Sequence, residues 1–184
     1  MSDDIDTLER IQERILWLAV RMVDHANRER PPGEIKVGGH QSSSASMVGI
    51  MTALWFGHLR SQDKVAVKPH ASPVYHSIKY LTGELDRSYL TRLRALGGLQ
   101  SYPSRTKDPD VADFSTGSVG LGVVAPLFAA ATRRYLDAHF PRSPGHAWPM
   151  PARRGSSPSP ATPSSTRATS GRRSPILRCT VSAT

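Results

Sequence analysis

The chain has one cysteine, Cys179, so no disulfide framework can form within it. It also lacks a long hydrophobic run. The longest apolar stretch, Val119 to Ala131, is too short to span a bilayer, and no membrane helix is expected. The opening residues Met1-Ser2-Asp3-Asp4 are acidic where a signal peptide would be basic. Together with the scarcity of cysteine, this predicts a cytoplasmic protein. The most informative absence is of one sign of charge: beyond Phe140 there is no aspartate, glutamate or lysine, yet there are seven arginines. The first 140 residues hold 17 basic and 15 acidic residues and are close to neutral. The sequence pI near 10.3 is therefore a property of the tail.

Hydrophobic content of 38% and 15 prolines in 184 residues describe two unlike pieces averaged together. The reading divides the chain into a head, residues 1–140, and a Pro/Ser/Arg-rich tail, residues 141–184. The tail has no apolar periodicity and is expected to be disordered. An arginine-bearing disordered segment permits weak, salt-sensitive binding to nucleic acid or anionic surfaces, a function of a non-enzymatic class. No aromatic interleaving and no recognition fold accompany it, which argues against nucleic acid as a partner.

What is present in the head centres on Val37-Gly38-Gly39-His40 and the serines that follow, Ser42 to Ser44 and Ser46. Paired glycines permit a close backbone approach, and a serine cluster is a common helix opening. The segment Met47 to Gly57 is too apolar for a surface helix and is expected to be buried, with Met47, Met51 and Trp55 as core. Before it, Leu8, Ile11, Ile15, Leu18 and Met22 recur at three- and four-residue steps. They predict an amphipathic first helix, capped by Thr7 and favoured by Asp3, Asp4 and Asp6 near its positive end. Pro31-Pro32-Gly33 breaks the chain after it.

Further along, Lys64-Val65-Ala66-Val67 has the length of a buried strand. Ser72 with Pro73 opens a helix through Tyr75, Ile78 and Leu81. Asp86 to Leu96 reads as another helix, stopped by Gly97-Gly98, and Val123 to His139 as the last. One buried strand among buried helices suits the first part of an α/β domain.

Three loops bear candidate chemistry. His40 follows the glycine pair, and His70 follows the strand, where open α/β sheets collect ligands. Ser115 to Gly120 precedes the last helix, where backbone N–H groups and the helix dipole favour an anion. Other motifs are weak. Gly120, Gly122 and Ala125 match a relaxed dinucleotide fingerprint, but they fall at a helix start with no acidic residue some twenty positions on. His40, His70 and His76 have no metal-ligand spacing, and no acidic or thiol partner stands near them in sequence, so no metal site is expected in this chain.

Four segments occur together and in order: Gly38-Gly39-His40, Lys68-Pro69-His70-Ala71-Ser72-Pro73, Gly98-Leu99-Gln100-Ser101-Tyr102-Pro103, and Ser115-Thr116-Gly117-Ser118-Val119-Gly120-Leu121-Gly122. The set, covering about residues 8 to 140, resembles the thiamine diphosphate-dependent transketolase family. The nearest branch is that of the homodimeric pyruvate dehydrogenase E1-type subunits. The resemblance implies an α/β, helix-rich fold: the incomplete N-terminal part of a thiamine diphosphate-binding domain. It implies a homodimer that uses thiamine diphosphate and magnesium to act through a cofactor carbanion on a 2-oxo acid or a ketose. Carried residue by residue, it makes His40 and His70 the catalytic histidines beside the reacting substrate. It makes Ser43, Lys68, Tyr102, Gly117, Ser118 and Val119 cofactor-binding, the last three through a turn that meets the aminopyrimidine ring.

Two departures accompany the resemblance. Lys68-Pro69 replaces a glutamine-glycine of the typical pyruvate dehydrogenase and partly resembles the lysine-glycine of some transketolases, so the carbonyl substrate stays open. The family's Gly-Asp motif and later asparagine, which hold magnesium and the diphosphate, have no counterpart after Phe140. The family's activating glutamate also comes from a later domain of the partner subunit. The chain is therefore expected to be an N-terminal fragment, inactive as written.

The tail has the composition of a G+C-rich coding sequence read out of frame. If the frame slipped, the first two bases of each present codon become the last two of an original codon. Applied to Ala161 through Thr184, this permits at all 24 positions a string that begins Gly-Asp-Ala-Glu and continues through Asp-Glu-Gly-Asn. That string resembles the family's metal and diphosphate motif, at the expected distance after the last helix.

Overall fold

Among the described residues of the head there are four α-helices, and the first three supply most of the core. A computed structural model describes residues 2–29, 33–60, 63–110, 112–117 and 120–140. The expectation of a disordered tail, with its seven arginines, lies outside the described residues, as do Ser118 and Val119.

Helix α1, Ser2–Arg28, follows the predicted apolar stripe. Ile15, Leu18, Ala19, Met22, Val23 and Ala26 are buried along it. The helix starts before Thr7, which is therefore an interior residue and not the cap. Helix α2, Gln41–Ala53, begins directly after His40 and runs into a single wider π-helical turn, Leu54–His58. Helix α3, Ser72–Leu81, is preceded by a 3-10 turn, Pro69–Ala71. Ala71 occupies the cap position, and Ser72 is already helical. Every residue from Ser72 to Lys79 is buried.

One cluster joins Ile15 and Ala19 of α1, Val48 and Met51 of α2, Val65 and Val67, and Val74, Tyr75 and Ile78 of α3. Met47 and Trp55 pack against its edge, as their spacing predicts. A second cluster brings Met22, Val23 and Ala26 onto Leu85, Leu93 and Leu99.

Three further expectations are corrected. Residues Lys64 to Val67 are buried or half-buried, but they form no ladder, and no named strand occurs among the described residues. Side chains satisfy part of that backbone instead: Asp113 Oδ2 accepts from Val65 N at 3.0 Å, and Thr116 Oγ1 donates to Val67 O at 2.6 Å. A buried backbone without a neighbouring strand needs such partners. The described head is thus helix-rich, without the sheet that an α/β reading requires.

The second correction concerns α2, which buries one face only. Ser44, Val48, Met51 and Thr52 are inside, whereas Ile50 is 54% exposed. In the third, Asp86 to Leu96 is not one helix. Asp86 caps a short 3-10 helix, Arg87–Thr91, by accepting from Ser88 N at 2.9 Å. The chain then folds back, with Arg94 N donating to Leu99 O at 2.8 Å and Leu99 N to Arg92 O at 3.0 Å. The turn needs left-handed backbone at Arg94 (φ 61°) and Gly97 (φ 65°), which ends helical geometry before the glycine pair.

Helix α4, Leu121–His139, starts from Gly120 in left-handed geometry. Most of its apolar residues face outward: Leu127 is 61% exposed and Phe128 is 67%.

Candidate functional site

His40 is positioned by the end of α1. Asn27 binds Gly38 reciprocally, accepting from Gly38 N at 2.9 Å and donating to Gly38 O at 3.0 Å. The pair acts as a two-bond clip that anchors the glycine loop. Gly39 follows with φ 135°, and a Cβ there would lie 2.7 Å from Val23 Cγ1. Both the backbone angle and the close approach to α1 demand glycine at this point. His40 then stands in the cap position of α2, with Ser44 N donating to its carbonyl at 3.0 Å.

His70 reaches the same place from the other side. It sits in the turn before α3, and its carbonyl accepts from Ser44 Oγ at 3.2 Å. The two imidazole rings lie 4.8 Å apart, centre to centre, tilted by 45°. They open onto a cleft of about 60 Å³, with Tyr102, Ser101 and Arg94 also on its wall. No carboxylate lines it, so the local charge is neutral to positive.

The remaining predicted residues divide. Tyr102 joins the histidines. Ser43 is half-buried on the first turn of α2 and does not line the cleft. Lys68 borders a separate small cavity with Met47, Met51, Trp55 and Val67. Gly117 is exposed, with open space where a side chain would stand. Thr116, just before it, donates its hydroxyl to Val67 O at 2.6 Å, close in the chain to His70. Ser118 and Val119 lie outside the described residues.

Arg94 and Asn27 are the residues that sequence reading passed over. Arg94 was hidden by the expected helix over Asp86 to Leu96. In the fold its guanidinium donates to Val37 O, tying the turn to the glycine loop while the residue borders the cleft. Asn27 carried a usable signal, since it follows the helical stripe at a helix end.

The polar groups on the cleft wall are imidazole, phenol, guanidinium and hydroxyl, with no carboxylate to hold a metal. The residues present therefore suit the reacting end of a carbonyl site: two imidazoles, a phenol and a guanidinium. A carboxylate-bound metal and a diphosphate cradle are not formed on this cleft by the described residues.

No protein-family model matches the chain. Curated proteins do. A pyruvate dehydrogenase E1 component of Mycolicibacterium smegmatis is 35% identical over 144 residues, covering 72% of this chain and 15% of that protein. The one from Mycobacterium tuberculosis is 33% identical over 144 residues, with the same coverage. The one from Pseudomonas aeruginosa is 31% identical over 147 residues, covering 75% of this chain and 16% of that protein. The chain thus spans 15–16% of the length of these relatives. Over nearly three quarters of its own length, it is related to proteins named pyruvate dehydrogenase E1 component.

Proposed function

We propose that residues 8 to 140 are one part of a thiamine diphosphate-dependent enzyme of the E1 type, acting on a 2-oxo acid. The observation that carries this reading is the meeting of His40 and His70 on one cleft with Tyr102 and Arg94. When bound, the cofactor would supply a nucleophilic carbon for a substrate carbonyl. This chain's own residues supply the surroundings. An imidazole exchanges protons near neutral pH, so His40 and His70 hold and deliver a proton to the substrate oxygen or carbon. Arg94 offers its charge to a carboxylate, and Tyr102 closes one side. Arg94 on the cleft wall supports an anionic substrate such as a 2-oxo acid.

The metal and diphosphate ligands are proposed to lie in the segment encoded, in a shifted frame, by the region now read as Ala161 to Thr184. The full enzyme is a homodimer on this reading, and the chain as written does not turn over substrate. The test is to assay the frame-corrected polypeptide with thiamine diphosphate, magnesium, and pyruvate or a ketose phosphate. Turnover of the 2-oxo acid is expected. His40→Ala and His70→Ala should each lower kcat by about 10²-fold or more, the range for a lost general acid or base. Full activity in both variants, or turnover of the ketose phosphate alone, would overturn the assignment.

A further inference from the structure

A second group of titratable residues lies away from the cleft, inside the protein. His76 of α3 and Asp110 have side chains 0% and 1% exposed, with His76 Nδ1 3.8 Å from Asp110 Oδ1. His76 Nδ1 and both Asp110 carboxylate oxygens find no hydrogen-bond partner among the described residues. Asp108 stands beside them, and the three side chains each offer a donor atom within 4.8 Å of one another. Sequence spacing alone does not mark His76, because no acidic residue is near it along the chain. The loop after Tyr102 brings two of them back to it.

The hydrogen bonding fixes which atoms are available. His76 Nε2 lies 3.1 Å from Gln100 O, an acceptor, so Nε2 carries the proton and donates. In the neutral ring Nδ1 then presents a lone pair toward a carboxylate, an arrangement that repels unless something positive lies between. Asp108 is held in place by two backbone donors, Gln100 N to Oδ1 and Ser104 N to Oδ2, each at 2.7 Å. Its oxygens keep a second lone pair each. The buried Lys79, one turn along α3 from His76, pairs with Glu84 at 2.5 Å. Even a protonated His76 would leave two carboxylates against one positive charge, and an uncompensated buried charge is expensive.

We propose that His76, Asp108 and Asp110 form a structural site for a divalent first-row cation, with zinc as the best match. One neutral imidazole and two carboxylates balance a 2+ ion, and a mixed nitrogen and oxygen donor set suits zinc. Ligand bonds of about 2.1 Å place an ion between two donors 3.8 Å apart at an angle of about 130°. A donor 4.8 Å away must close by about 1.3 Å, to about 3.5 Å, for all three to bind one ion at about 2.1 Å. The Nε2 bond to Gln100 O is the backbone contact that orients a metal-bound histidine. The ion would pin the loop that leads from Tyr102 to the buried helix α3.

The experiment uses the full chain, stripped with chelator and titrated with zinc, then with cobalt(II) as a spectroscopic probe. One equivalent of zinc retained after desalting, a raised Tm, and visible cobalt bands of a four- or five-coordinate site are expected. Cys179→Ser should leave all three unchanged, while His76→Gln and Asp110→Asn should each weaken binding by 10²-fold or more. Should either variant fail to fold, the unmodified chain still decides, because cadmium-113 NMR distinguishes nitrogen and oxygen ligands from thiolate. No retained equivalent, a thiolate signature, or binding indifferent to both variants would overturn the proposal and leave His76 and Asp110 as a metal-free buried pair.

Discussion

Asn27 and Gly38 exchange two hydrogen bonds, at 2.9 and 3.0 Å, and thereby lock the glycine loop to the end of α1. That lock and the glycine that follows it set the course of the backbone into His40. The relationship couples a packing helix to a site residue through a side chain that imitates backbone pairing.

The first expected outcome concerns that glycine. Gly39→Ala places a Cβ 2.7 Å from Val23 Cγ1 on a backbone of φ 135°. It should cost about 1–3 kcal/mol of stability, the cost of a residue forced into a sparsely populated conformation. Gly117→Ala meets no atom within 4 Å and should be close to neutral. Urea denaturation of both variants checks the contrast, and equal stability would place the loop elsewhere.

Packing makes a second contrast. Ile78 is fully buried between α1 and α2, whereas Ile50 on α2 is 54% exposed. Ile78→Ala should cost about 2–5 kcal/mol through lost burial and a cavity. Ile50→Ala should stay within about 0.5 kcal/mol, as exposed substitutions do. A large loss at Ile50 would show that α2 is buried all round, as its composition first predicts.

Acid sensitivity gives a third. The Asp86 carboxylate is held below its usual value of 3.8 by the Ser88 hydroxyl and then by the Ser88 backbone N–H. A lowered folded value means that its contribution is present above pH 3.8 and is lost as pH falls through the folded value. Asp86→Ala should therefore be less stable than the parent at neutral pH, and the gap should close below pH 3.8. Denaturation midpoints across that range check the sign. The effect is small because the group is exposed.

A fourth outcome concerns the cofactor. A diphosphate carries several negative charges, and the cleft wall offers only Arg94 and the imidazoles against them. Calorimetry of the chain as written with thiamine diphosphate and magnesium should show no saturable binding at micromolar concentration. Tight, magnesium-dependent binding would mean that the metal ligands are already within this chain.

The sequence made α1, α3 and α4 legible because their apolar spacing, proline openings and glycine boundaries are local signals. It also made the histidines of the cleft visible, through the glycine pair before His40 and the proline-bounded turn around His70. Three features were illegible for physical reasons. Lys64 to Val67 has strand composition, but a strand exists only when paired, and pairing partners are not a local property. Asp86 to Leu96 has helical composition, yet Arg94 takes left-handed geometry to close the turn onto Leu99. Arg94 and the His76 group become visible only when distant loops meet.

If the cleft is part of a carbonyl-transforming enzyme, its metal-binding segment is encoded just beyond Phe140 in another frame. Nucleotide sequencing between the codons for Phe140 and Thr184 tests it most directly. A one-base shift between Phe140 and Ala161 is expected to open a long continuous frame that reads Gly-Asp and then Glu-Gly-Asn. A stop codon within a few residues of the shift, or a corrected frame without those acidic residues, would contradict it.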